Sequence, residues 1–398
     1  MYNTLVFFGG KSAEHDISVI TGIQLLENID RTLYNVFPIY IHSDVTFLYG
    51  KNLEKIENYQ NLNRKQVKKA IFFPNDKNLY IKTRFGLKKI CTCDVAILCC
   101  HGLNGEDGTL QGLLELSDIP YTSSGVLSSS VSMDKVVMKR MFESLCLPVV
   151  QWQYLNVFEI ENKKNSVKKE IEERVSKLNF PIIVKPANLG SSIGINFCNN
   201  LKETINAVNI AKEYDDKIIL EEAVKPLKEI NCSCLGDETT VYASELEEPI
   251  SFKDFLTFDE KYLTEKSSKI KTDQNQKVKN KKETSRIERK FPAELSLEIT
   301  EKIKNFSKII FKEFCCKGVV RIDYLVNEKT NEVFVNEINS IPGSMSYYLW
   351  EEKYTYPELI DQLVTIAIKT KKQQNRKKFC YSSQVLNKYK NKEFIHKK

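Results

Sequence analysis

The chain has 398 residues, 42% of them hydrophobic and 28% charged, with a formal net charge of +7. That length suits two or three domains with ordinary cores, and no apolar run nears the roughly 20 residues of a membrane span. The N-terminus lacks a basic-then-apolar leader, so a cytoplasmic protein with no membrane partner is expected.

The charge distribution argues against a nucleic-acid partner. Residues 264–290 carry ten Lys/Arg against four Asp/Glu and residues 369–398 carry eleven against one, net +6 and +10, which leaves −9 on the remainder. An acidic body with a basic insert and a basic tail is no continuous basic groove. Both segments are rich in Lys, Asn, Gln and Ser and read as solvated, disordered chain. The eleven cysteines include adjacent pairs in apolar stretches, Cys99-Cys100 and Cys315-Cys316, and fit small core residues in a reducing compartment. Cys91-Thr92-Cys93 and Cys232-Ser233-Cys234 lack the two-residue spacer of a zinc knuckle.

In chain order, Thr4–Phe8 reads as a strand, Gly9–Asp16 as a turn and Ile17–Ile29 as an amphipathic helix that Asp16 or Ser18 caps. The turn is not GxGxxG, and Glu14 and Asp16 would repel a pyrophosphate; a carboxylate there suits a substrate ammonium. Tyr80–Ile90, with its Phe85-Gly86 turn, reads as an added hairpin. Asp94–Cys100 is the continuous apolar run of a central parallel strand, and the glycine-punctuated loop His101–Gly112 leads from it into a helix. In open α/β sheets, ligands bind at such carboxyl ends of strands.

A new unit begins with Ser132-Met133-Asp134-Lys135, then Lys139 and Leu147-Pro148. Phe180–Pro186 is a strand carrying Lys185 among branched apolar residues, where a lysine needs a negative partner. Ala187–Ile195, with Gly190, Ser191, Ser192 and Gly194, can fold over phosphate oxygens; the lysine precedes the glycines, so this is no Walker A loop. Ile218–Val224 is a strand that runs into an apolar linker able to offer backbone groups to adenine, with Glu229 within reach of a ribose.

Val319–Val326 and Glu332–Asn339 read as two strands of a hairpin. The period of two puts Glu337 and Asn339 on one face. A register that sets Asp323 opposite Glu337 also sets Arg321 opposite Asn339. Facing carboxylates repel, so one takes a proton or a cation answers them. Two carboxylates and an amide oxygen suit Mg²⁺, and Arg321 can stabilise negative charge on a transferring group or a tetrahedral intermediate.

Together these elements resemble the ATP-grasp superfamily and, within it, the D-alanine–D-alanine ligases, from about Val6 to about Ile368. The likeness rests on Gly9-Gly10-x-Ser12-Ala13-Glu14, the His101–Gly112 motif, Ser132-Met-Asp-Lys135, Val184-Lys185-Pro186, Gly190-Ser191-Ser192-x-Gly194, Lys261-Tyr262, Arg321-x-Asp323 and Asn336-Glu337-Ile-Asn339-x-x-Pro342-Gly343. The resemblance implies an ATP-dependent carboxylate–amine ligase making D-alanyl-D-alanine for peptidoglycan through an acyl phosphate. It implies ATP and Mg²⁺ or Mn²⁺, two ions held by Asp323, Glu337 and Asn339. Lys135, Lys185, Ser192 and Lys261 would meet the phosphates, and Glu221, Glu222, Ala223, Val224 and Glu229 the adenosine. Glu14 would hold the first ammonium and join Ser191 and Tyr262 in one hydrogen-bonded set. Arg321 and the Gly343 N–H would face the oxyanion, with His101, Tyr348 and Leu349 at the substrates. A homodimer is expected.

The chain departs from the family pattern in three places. Tyr348 stands where a serine usually meets the second substrate's carboxylate, Leu256 where many ligases have a tyrosine, and the insert and tail are longer and more basic. Family members that take D-lactate tend to have histidine at the Tyr262 position, so tyrosine argues for an amino acceptor. Tyr348 keeps D-serine open as an alternative acceptor; a non-catalytic nucleotide-binding protein is a third reading, disfavoured because the metal ligands and Arg321 are all present. The fold implied is α/β with three units: an N-terminal parallel-sheet domain over 1–124, a central ATP-grasp subdomain over 125–221, and a C-terminal one over 222–370 that includes the insert at about 264–290. A disordered tail, 371–398, follows.

Overall fold

The computed structural model describes residues 1–59, 62–163, 166–191, 193–250, 289–378, 383 and 385–390. The N-terminal unit opens with β1 (Tyr2–Gly9), buried from Thr4 onward, and α1 (His15–Asn28). With β2 (Tyr34–Ile41), β3 (Phe47–Tyr49), β4 (Lys68–Phe73), β5 (Asp76–Thr83), β6 (Gly86–Thr92) and β7 (Val95–Leu98) it forms a seven-stranded sheet ordered β6-β5-β4-β3-β2-β1-β7. Only β2, β1 and β7 run parallel; β3 to β6 are antiparallel additions. The parallel sheet expected from the sequence is therefore mixed. Two-residue turns join β4 to β5 and β5 to β6, and such turns permit only antiparallel return. The hairpin expected at Tyr80–Ile90 is this β5–β6 edge. β7 leads through the His101 loop into α2 (Thr109–Leu116).

Next come α3 (Val126–Met133) and α4 (Lys135–Ser144). Asp134 caps α4 by accepting from the Val136 and Val137 N–H groups. A division at residue 125 assigns both helices to the central unit, yet Met138 and Phe142 pack in the C-terminal core, with Phe142 and Phe314 rings 5.2 Å apart. The central unit contains β8 (Trp152–Asn156), α5 (Val157–Asn162), α6 (Val167–Val175), β9 (Ile182–Pro186), β10 (Asn196–Cys198), α7 (Leu201–Ala211) and β11 (Lys217–Glu222). Its sheet is antiparallel, ordered β10-β9-β11-β8. Ile182 and Val184 face a core with Val208, Ile218 and Leu220, so Lys185, next along the strand and out of phase with them, faces the opposite side.

The C-terminal sheet is ordered β14-β13-β12-β15-β16: β12 (Leu227–Gly236), β13 (Val241–Pro249), β14 (Arg289–Lys290), β15 (Gly318–Asn327) and β16 (Val333–Asn339). α8 (Leu297–Glu313) covers one face, with Phe311 and Tyr324 fully buried and Tyr324 hydroxyl 2.7 Å from Ser307 Oγ. α9 (Tyr356–Gln374), opened by a Thr355/Glu358 capping box, then returns to the N-terminal core through Leu359, Ile360, Leu363 and Val364. The Tyr34 hydroxyl donates to Asp361 at 2.6 Å.

The segment from 371 expected to be a disordered tail is in part structured. α9 continues to Gln374, Lys371 pairs with Asp118 at 3.0 Å and Glu115 at 3.6 Å, and α10 spans Val385–Lys390. Of the basic insert, Arg289 and Lys290 form β14 against β13; the rest lies outside the described residues. The cysteines among the described residues are free thiols, all buried except Cys146 and Cys315.

Gly22 lets α1 lie directly on β1, since a Cβ there would come within 2.5 Å of the Phe8 side chain. Gly22→Ala is expected to lower stability by about 1–3 kcal/mol. Gly112→Ala in α2, where a Cβ meets nothing within 4 Å, should be neutral or slightly stabilising. Urea-denaturation midpoints of the two variants decide this; equal midpoints would refute the close approach.

Candidate active site

Two adjoining cavities lie where the three units meet, sharing Lys135, Ser191, Glu229, Asp323 and Glu337 in their walls. The floor is the β15–β16 hairpin. Its register pairs Asp323 with Glu337 and Arg321 with Asn339, the two pairings that alternation links together, with an irregularity just after Asp323. Separate cations answer the two carboxylates. Arg321 grips Asp323 in a fork, Nε to Oδ1 at 2.7 Å and Nη2 to Oδ2 at 2.8 Å, and Asn339 Nδ2 donates to the same Oδ2 at 3.0 Å. Lys135 Nζ lies 3.4 Å from Glu337 Oε2 and donates to the Leu189 carbonyl at 2.8 Å. A bidentate guanidinium–carboxylate pair of this kind fixes orientation as well as charge.

The second cavity runs from these carboxylates toward the linker after β11. Lys185 Nζ lies 2.5 Å from Glu221 Oε2 and 3.4 Å from Asn336 Oδ1. Glu221 is 2% exposed, and its other oxygen is 2.8 Å from Lys139 Nζ. Burial favours the neutral acid, but Lys139 and Lys185 together hold the Glu221 carboxyl down to about 2. Beyond them Ile183, Phe197, Leu227 and Leu325 supply apolar walls beside Glu222, Ala223 and Val224. The Glu222 carboxylate accepts from Asn179 N and Nδ2 at 2.8 and 3.0 Å. The Glu221 and Glu222 side chains are thus both engaged within the protein, which leaves the backbone of this stretch to face the cavity.

The first cavity is closed by the N-terminal domain. Ser191, at φ 53°, donates its hydroxyl to Glu14 Oε1 at the start of α1. Neither Asp16 nor Ser18 caps that helix: the Ncap is Glu14, without a side-chain cap, and Ser18 Oγ donates to the Glu14 carbonyl while accepting from His101 N at 2.8 Å. Glu106 accepts from Gly102 N at 2.9 Å and from Ile341 N at 2.8 Å. Its burial and the nearby Glu14 push its carboxyl up to about 8. After Gly343, Ser344, Met345 and Ser346 all have left-handed φ of 48–53°. Ser344 ties this turn to α1 through its N–H to Thr21 Oγ1 at 3.3 Å and its hydroxyl to Gln24 at 2.7 Å.

Tyr348 lines the first cavity between two guanidinium groups. Arg321 Nη1 is 3.5 Å from its hydroxyl, and Arg289 stacks 4.0 Å over its ring while pairing with Glu247 at 3.2 Å. Three other expected site residues do not form its walls. His101 is 4% exposed with its ring bonded to Thr21 Oγ1 at 2.9 Å, Leu349 packs in the N-terminal core, and Gly343 is half-buried with open space where a Cβ would be. Ser192, Leu256, Lys261 and Tyr262 lie outside the described residues. Sequence reasoning missed roles for Lys139, Glu106, Glu247 and Arg289. Lys139 had a signal, one helical turn after Lys135. Glu247 and Arg289 had none, because the β13–β14 ladder brings them together from distant parts of the sequence.

The sequence matches the D-ala D-ala ligase N-terminus family over residues 3–124 and the D-ala D-ala ligase C-terminus family over 141–289 and 276–365. It is 38% identical over 372 residues to the D-alanine--D-alanine ligase of Thermosipho melanesiensis, covering 92% of this chain and 94% of that one. The chain belongs to the D-alanine–D-alanine ligase family. Among solved structures the Coxiella burnetii D-alanine-D-alanine ligase superposes with a TM-score of 0.77 at 24% identity over 98% of this chain and 99% of its own. The VanG D-Ala:D-Ser ligase of Enterococcus faecalis reaches 0.73, also at 24%, over 92% and 98%. The fold is therefore common to members named for different acceptors. Among the described residues no helix is long and apolar enough to cross a membrane.

In this ligase His101 is a pH-sensitive part of the scaffold. Burial lowers its ring to about 4, against the pull of the hydrogen bond the ring donates to the Ile341 carbonyl. The folded state then binds fewer protons than the unfolded one, whose histidine titrates near ~6.5. The stabilisation is complete above that value and is lost as pH falls toward 4. The advantage of wild type over His101→Gln should shrink by about 2 kcal/mol between pH 7.5 and pH 5, read from chemical denaturation; a pH-independent difference would contradict the assignment.

Proposed function

We propose that this chain joins two D-alanine molecules at the expense of ATP, releasing D-alanyl-D-alanine, ADP and phosphate for peptidoglycan synthesis. The observation that carries the reading is the continuity of a lysine-lined, apolar-walled cavity with one that collects Glu14, Ser191, Arg321, Asp323, Glu337 and Asn339. ATP fits the second cavity, with its base among Phe197, Leu227 and Leu325 and its phosphates at Lys135 and Lys185; Glu229 serves the ribose, and Ser192 and Lys261 complete the phosphate contacts. The donor set of two carboxylates and an amide suits Mg²⁺ or Mn²⁺, held as two ions by Asp323, Glu337 and Asn339. The metal supplies charge neutralisation on the phosphates.

The first D-alanine is held with its ammonium at Glu14, which Ser191 and Tyr262 orient. Its carboxylate oxygen bonds to the γ-phosphorus as the bond to the ADP oxygen breaks. The amine of the second D-alanine then adds to the acyl carbon, phosphate leaves, and the amine loses a proton. Arg321 and the Gly343 N–H stabilise the oxyanion formed on the way. His101 acts from behind the wall, ordering α1 and the 341–346 turn through Thr21. The protein works as a cytoplasmic homodimer with no nucleic-acid or membrane partner, in three units, with α4 packed on the C-terminal one.

A second reading, D-serine as the acceptor, draws on Tyr348. Burial and the neighbouring Glu247 push this phenol up to about 12, so at neutral pH it donates a hydrogen bond where the family usually has a serine. Phosphate release from MgATP is measured with D-alanine alone and with D-alanine plus D-serine, D-lactate or L-alanine, each product being identified by mass. Turnover on D-alanine alone yielding the homodipeptide is expected; turnover only with a second compound would replace the main reading. Glu337→Gln should keep an unfolding free energy within about 1 kcal/mol of wild type and lose about a hundredfold or more in rate. Near-normal turnover in that variant would remove Glu337 from the metal site.

A further inference from the structure

Lys139 has no part in the mechanism above and lines neither cavity. It is nevertheless 0% exposed, and it is the charged member of the largest fully buried side chains. A lysine so placed is costly unless paired, and its partner is Glu221, at 2.8 Å from Oε1. The other oxygen of the same carboxylate is 2.5 Å from Lys185 Nζ. One buried carboxylate therefore faces two ammonium groups, Lys185 on the cavity side and Lys139 behind. The Lys139 ammonium is pulled below the ordinary lysine range by burial, against the pull of Glu221.

A Lys185–Glu221 pair alone would be neutral and would present nucleotide phosphates with a dipole only. With Lys139 the cluster carries one surplus positive charge. Lys139 reaches no cavity wall, so the surplus is felt at Lys185. We propose that Lys139 is a positioning residue for nucleotide binding: it occupies Glu221 from behind and so leaves the Lys185 ammonium electrostatically available to the phosphates. This rests on the assignment of the second cavity to ATP. The charge balance, rather than packing, is what the residue contributes, and the two are separable because Glu221→Gln restores the same net charge without Lys139.

The test is titration calorimetry of MgADP with wild type, Lys139→Met and the double variant Lys139→Met/Glu221→Gln, alongside KM for D-alanine and thermal midpoints. K139M is expected to bind MgADP about tenfold more weakly with D-alanine KM within about twofold of wild type. The double variant, again with one positive charge at Lys185, should recover to within about threefold of wild type. MgADP affinity of K139M within about twofold of wild type, or a double variant as weak as K139M, would overturn the proposal and leave Lys139 as core filling. If K139M does not fold, the double variant decides by itself: near-wild-type binding supports the charge argument and a loss above about tenfold refutes it. Wild-type protein that binds no MgADP would instead remove the nucleotide assignment, whatever the variants do.

Discussion

Two carboxylates face each other across one rung of an antiparallel ladder, and the surrounding site is built to make that tolerable. Asp323 and Glu337 would repel strongly on a partly buried sheet face, so each has its own cation. Arg321 comes from the same strand two residues earlier, where the period of two puts it on the same face. Lys135 comes from the start of α4 and also binds the Leu189 carbonyl beside the 190–195 loop. Relieving the repulsion therefore ties the hairpin to α4 and to the central unit. The face stays rich in oxygen donors while its net charge is held down, which suits a cation and a polyphosphate together.

The same logic recurs one layer back. Glu221 is buried between Lys139 and Lys185, and its charge is held by both. On the other side of the cleft a different cost is met. Three successive non-glycine residues after Gly343 adopt left-handed φ, each at roughly 1–2 kcal/mol. Such a turn persists only where its surroundings hold it. Glu106, Thr21 and Gln24 of the N-terminal domain do so, through Ile341 N, Ser344 N and Ser344 Oγ. The wall that carries Tyr348 is thus shaped by a domain that precedes it by more than 200 residues in the chain.

Much of this was legible in the chain. Alternation tied the Asp323–Glu337 and Arg321–Asn339 pairings of β15 and β16 to each other, and the lysine of β9 demanded an acidic partner, which proved to be Glu221. The Glu14–Ser191 contact was expected from family likeness alone, since nothing local links a helix start to a loop 177 residues on. Local reading failed where the chain's own chemistry was ambiguous. Ser18 looked like a cap and is a bridge to His101; His101, set near a substrate by family likeness, is buried with its ring bonded to Thr21; and Met138 and Phe142 of α4, in a helix set at the start of the central unit, pack in the C-terminal core. In each case the residue type permits both outcomes, and the choice depends on which distant surface covers it.

The sequence by itself determined the periodic elements, the facing carboxylates and the residue types able to bind a polyphosphate, because these depend on spacings of two to four residues and on side-chain chemistry. Only the tertiary structure decided that Lys139 lies behind Glu221, that Arg289 stacks on Tyr348 beside Glu247, and that the strained 344–346 turn is held from α1. Those contacts join segments remote in sequence. Their energies depend on burial and on competing partners, and neither exists until the three units have packed together.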